Sequence, residues 1–185
     1  MTIQVTYGPK AEQPLFEDVR PEDYFYDAVK RAAERGITDG VGGGLFGSGD
    51  PCTREQIVTF LWRAAGSPVV NYIMPSSDVD EDVWYAEAVR WAASEGIAAG
   101  KPGGTFGVGD ACTRAQSVTF LFRAMGSHTK PGGSFSDVSA DAWYAAAVEW
   151  AAARGVRSGI GSGLFAPDNS CTRAQIATFL YRCAK

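Results

Sequence analysis

Apolar positions along this chain fall into short amphipathic stretches that come in pairs. In its middle, Trp84, Ala88, Trp91 and Ala92 recur at i, i+4, i+7 and i+8, one face of a helix. Asp82 stands where it can cap that helix, and Gly96 where a left-handed residue can stop it. A second stripe, Ile57, Phe60, Leu61 and Ala64, follows the i, i+3, i+4, i+7 rule. Ahead of it, Thr53-Arg54-Glu55-Gln56 has the Thr-x-x-Gln form of a capping box, in which hydroxyl and amide each satisfy a backbone donor. Thr113 with Gln116 and Thr172 with Gln175 repeat that start signal. The helices of a pair are separated by a loop of about fifteen residues, long enough to suggest function as well as connection.

The pattern is one unit written three times. Asp18, Asp78 and Asp137 are spaced 60 and 59 positions apart, and those offsets hold without a gap to Arg63, Arg123 and Arg182. Within them recur Gly36, Gly96 and Gly155, then Gly40, Gly100 and Gly159, then Phe46, Phe106 and Phe165. Expected boundaries are 1–15 for an N-terminal extension or the end of a preceding domain, then 16–67, 76–127 and 135–185 for the copies. One helix pair cannot bury its stripe alone, so the copies must pack on one another. The fold class expected is mainly all-α: three helix–loop–helix repeats closed around a pseudo-threefold axis with a central three-helix bundle. With only three copies, closure leaves no terminal face exposed.

Composition narrows the function. The 185 residues are 45% hydrophobic and 21% charged, as in a globular protein, and the net charge of −4 argues against a broad nucleic-acid footprint. The longest uncharged stretch, Ala64 to Ser77, is too short and polar to span a bilayer, so no membrane insertion is expected. No secretory signal opens the sequence, which fits either an internal protein or a fragment of an exported one. Catalysis has little support: the single histidine, His128, lies in a linker, and no nucleophile-elbow, zinc-protease or phosphate-loop motif occurs. No cofactor is implied.

The repeated polar residues are the candidate site. Arg54, Arg114 and Arg173 follow the capping threonines, where a cation faces the positive end of the helix dipole. A locally unfavourable choice made three times suggests another use for the charge. A guanidinium fork at a helix N-terminus suits a carboxylate or phosphate; an internal ion pair with Asp50, Asp110 or an Asp18-type residue is the alternative. Gln56, Gln116 and Gln175 are better explained as capping partners than as ligand contacts. Asp18, Asp78 and Asp137 read as turn caps or ligand contacts. Tyr24, Trp84 and Trp143 could stack on a sugar, although their place on the apolar stripe favours core packing. Gly40, Gly100 and Gly159 permit positive φ and close approach to a ligand, and equally suit plain turns. Cys52, Cys112 and Cys171 occupy the hydrophobic-staple position before each cap, and Cys183 matches Ala64 and Ala124. Buried free thiols are expected; a zinc site from the three equivalent cysteines lacks a recurring histidine or carboxylate, so no metal is assigned.

Taken in order, Phe-x-Asp-Val, paired aromatics, Gly-Ile-x-x-Gly, Gly-x-Phe and Thr-Arg-x-Gln resemble the S-layer homology repeat of bacterial cell-surface proteins, over residues 16–185. Ser76 replaces the first Phe and Val156 the Ile in single copies, and the family's usual Thr-Arg-Ala-Glu carries Gln here, preceded by Cys. The resemblance implies an extracellular module, monomeric and pseudo-trimeric, that holds a larger surface protein on secondary cell-wall polysaccharide. It implies an anionic, often pyruvylated, sugar in grooves between repeats, with one of Arg54, Arg114 and Arg173 in each. The alternative is a protein-interaction or assembly module on the same fold, which would expose an apolar patch; an enzyme comes third.

Overall fold

A computed structural model describes residues 15–73, 76–128, 133–156 and 159–184; the strand-like pattern at residues 2–7 lies outside them. Among the described residues there are six α-helices and no strand longer than an isolated bridge. They are α1 (Tyr26–Glu34), α2 (Arg54–Ala64), α3 (Ala86–Ser94), α4 (Arg114–Ala124), α5 (Ala145–Ala153) and α6 (Arg173–Cys183). The chain is mainly all-α, two helices to a copy.

All three second helices open with the expected capping box. In each, the glutamine side chain accepts the N–H of the capping threonine, at 3.1–3.2 Å. The first helices start later than Asp82 implies. Tyr85, not Asp82, precedes α3, and the entering turn is closed by the Ala86 N–H on the Val83 carbonyl at 3.0 Å. Trp84 therefore sits in the turn before the helix rather than on its stripe. The helix ends as expected, with Gly96 at φ +67° just past Glu95.

Each second helix packs on the first helix of the next copy. α2 lies against α3, α4 against α5, and α6 against α1, while α2 also touches α4. Backbone hydrogen bonds trace the same order. The Cys52 N–H donates to Cys171 O at 2.8 Å, Cys171 N–H to Cys112 O at 3.0 Å, and Cys112 N–H to Cys52 O at 2.8 Å. The three thiols are fully buried and free, in one core cluster with Ile57 and Ile176, as a staple requires. Burial raises their pKa, to about 12 for Cys112 and about 11 for Cys171.

Candidate functional site

Arg54, Arg114 and Arg173 do not stand open as the sequence led us to expect. They are 4%, 2% and 3% exposed. Nε of each donates to the carbonyl of the loop phenylalanine in the following copy: Arg54 to Phe106 at 2.9 Å, Arg114 to Phe165 at 2.6 Å, and Arg173 to Phe46 at 2.8 Å. The guanidinium also lies over that phenylalanine's ring, 4.7–4.9 Å from its centroid. Among the described residues no carboxylate ion-pairs with these arginines, so the alternative reading of them fails as well. Burial lowers their pKa from the ordinary value.

The aspartates hold the same phenylalanines by their N–H groups. Asp18 accepts N–H bonds from Phe46 and Ser48 at 2.7 and 2.8 Å; Asp78 accepts from Phe106, Gly107 and Val108; Asp137 accepts from Phe165 and Ala166. Desolvation pushes these carboxyls up, but the backbone donors outweigh it and hold their pKa below the ordinary value. They clamp loops about thirty residues onward rather than cap local turns. Each loop phenylalanine is thus gripped at N–H by its own copy and at C=O by its neighbour.

The helix N-termini are equally occupied. Arg54 N–H donates to Asp110 O, Arg114 N–H to Asn169 O, and Arg173 N–H to Asp50 O. These carbonyls fill the position where an anion was expected.

The aromatics reverse the expectation too. Tyr24, Trp84 and Trp143 are 68%, 60% and 63% exposed, each set edge-on against the half-buried ring that follows it, about 5 Å between centroids. Core packing is therefore not their role. Being placed before the helix frees them from the stripe. Of these glycines, Gly40 has positive φ, +81°. A Cβ would fall 2.3 Å from Leu45 O at Gly40, 2.9 Å from Thr105 O at Gly100 and 2.2 Å from Leu164 O at Gly159. The close approach is to the chain's own hairpin.

A cavity of about 360 Å³ gathers members of this set from all three copies. Gly40, Gln56 and Arg63 come from the first, Trp84 from the second and Arg173 from the third. The described hydrogen bonds of Arg173 engage two of its five N–H donors, with Phe46 and Thr38. Asp18 does not line the cavity. Arg63 was overlooked as a candidate, though its gap-free recurrence with Arg123 and Arg182 is visible in the sequence; it donates to Ile37 O and to Asp39 at 3.3 and 3.0 Å.

Residues 15–58, 77–116 and 134–177 each match the S-layer homology domain. The chain belongs to that family. Among similar proteins is a cell surface protein of Thermoanaerobacter kivui, 32% identical over 116 residues, which are 60% of this chain and 15% of that protein. A surface layer protein of Brevibacillus choshinensis is 32% identical over 102 residues, 53% of this chain and 9% of that one. An exoglucanase of Acetivibrio thermocellus is 27% identical over 181 residues, 94% of this chain and 16% of the enzyme. The chain thus spans less than a fifth of each of these relatives. As an S-layer homology domain it is a cell-wall anchoring module on the bacterial cell surface. No described helix is long and apolar enough to cross a membrane.

Proposed function

We propose that the module holds its parent protein on an anionic, possibly pyruvylated, secondary cell-wall polysaccharide, gripped in grooves between copies set about a pseudo-threefold axis. The ring of cysteine hydrogen bonds supports that arrangement. The single observation that carries the binding reading is the cavity built from three copies. An exposed indole, Trp84, flanks it as a stacking surface, and Arg63 and Arg173 contribute cationic N–H donors. The repeat offsets give two further sets: Arg54 with Gly100, Gln116, Arg123 and Trp143, and Arg114 with Gly159, Gln175, Arg182 and Tyr24. The sugar's ring lies on the aromatic and its carboxylate meets the guanidinium.

The test is titration of wall polysaccharide, native and stripped of acidic substituents, against wild type and variants that spare the buried arginines. Trp84→Ala, Trp143→Ala and Tyr24→Ala should each weaken their own groove about tenfold. Grooves that engage one polymer reinforce each other, so the triple variant should lose far more than any single one. Undiminished binding by the folded triple variant overturns the proposal.

A further inference from the structure

One packing position that holds a tryptophan in two copies holds a charged residue in the third. Where the first helix of a copy meets the second helix of its neighbour, α3 carries Trp91 and α5 carries Trp150, 8% and 3% exposed. Both belong to the main core, and Trp150 meets Phe122 of α4 edge-on at 5.8 Å. By the repeat offsets the equivalent residue of α1 is Arg31, which is exposed, its guanidinium 5.9 Å from the Tyr181 ring centroid. No indole joins α1 to α6.

The consequence is visible in the packing. The apolar interior splits in two, and the seam between α1 and α6 keeps a small separate cluster that includes Ala28, Val29, Ala174 and Ala177. Beside it opens a cavity of about 420 Å³, walled by Ala28, Ala32, Ala177, Leu180 and Tyr181. That volume lies in the range of small-ligand sites. Arg31 and Arg35 also line it, both exposed, and neither has an ion-pair partner among the described residues. Apolar walls of ring size beside two exposed guanidiniums select an apolar anion.

We propose that this cavity binds a small aromatic carboxylate. Its ring takes the room that Trp91 and Trp150 fill in the other two seams, and its carboxylate meets Arg31 and Arg35. The site is separate from the wall-binding groove and does not depend on it. Because Arg63 borders both cavities, Arg31 is the residue to change.

The experiment titrates the full chain with indole-3-acetate, with neutral indole and cationic tryptamine as controls, following backbone amide signals by NMR. Indole-3-acetate should give saturable shifts centred on Ala28, Ala32, Ala177 and Tyr181. Indole should bind at least tenfold more weakly and tryptamine not at all. Arg31→Trp should fill the cavity, raise the melting temperature and abolish the shifts. Arg31→Gln with Arg35→Gln, which leaves the cavity open, should reduce indole-3-acetate to the affinity of indole. Absence of saturable shifts in wild type, or unchanged binding in either variant, overturns the proposal. So does sedimentation showing a wild-type dimer that Arg31→Trp dissociates, since the occupant is then a second copy.

Discussion

Arg173 Nε donates to the carbonyl oxygen of Phe46 at 2.8 Å across 127 positions of chain, tying the last helix to the first loop. Asp18 accepts the N–H of that same phenylalanine at 2.7 Å. The two peptide groups that flank Phe46 are therefore each held, one by its N–H and the other by its carbonyl, and the arrangement recurs at Phe106 and Phe165. An arginine chosen three times against the helix dipole finds its use here. It joins copies.

Replacing Arg54 or Arg173 by Ala should consequently cost stability. The change strands a buried carbonyl and removes the contact with the ring, roughly 2–4 kcal/mol together. Lysine should recover little, since an ammonium lacks the planar fork that both bonds the carbonyl and lies over the ring. Urea unfolding of each variant measures the loss; a change under 0.5 kcal/mol, on the order of an ordinary surface substitution, would contradict the role given to these residues.

Acid should expose the aspartate clamps. Asp18, Asp78 and Asp137 have folded pKa values below the ordinary 3.8, so the stability they contribute is fully present above about that pH and is lost as pH falls below it. The melting temperature should fall steeply below about pH 4. In the triple Asp→Asn variant it should start lower and fall less. Thermal melts across pH 2–7, the order of range carboxylate titration needs, test this.

Thiol chemistry should report the core. Cys52, Cys112 and Cys171 are fully buried, so alkylation at mildly alkaline pH should spare them in the native state and reach them after denaturation. Cys183 is only partly buried, but burial still raises its pKa to about 11, and it should react slowly. Intact mass before and after urea distinguishes the two classes. Fast native labelling at more than one site would show the staple positions to be open.

Two glycine substitutions should separate crowding from backbone strain. Gly159→Ala puts a Cβ 2.2 Å from Leu164 O, and the hairpin must move, at a cost of about 2–4 kcal/mol. Gly155→Ala meets nothing within 4 Å but keeps φ at +64°, costing about 1–2 kcal/mol. The order of the two melting temperatures is the check, and equal values would contradict the crowding argument.

Removing residues 130–185 deletes α6, the helix that covers α1, and the Cys171 link between Cys52 and Cys112. The two-copy remainder should aggregate or lose fixed packing. A sharp, reversible melt of that fragment would show that each pair of copies is self-sufficient.

The sequence by itself determined the elements and their repetition. Apolar spacing, the Thr-x-x-Gln boxes and the helix-stopping glycines are local signals, because each works through residues within one or two turns. They gave three helix pairs, and the staple position gave the buried thiols. What those signals could not carry is which copy a side chain reaches. Arg54, Arg114 and Arg173 look like free cations along the chain and become buried ties only because the neighbouring copy brings a phenylalanine carbonyl to each. Asp18 looks like a turn cap and is a loop clamp for the same reason. Tyr24, Trp84 and Trp143 fit the helical stripe by spacing alone, yet the helix begins just after them, and a register that starts two residues later leaves them in solvent. The substitution of Arg31 for a tryptophan was legible by aligning the copies; that it opens a cavity was decided by the packing of α1 on α6, where no other side chain moves in to fill the space.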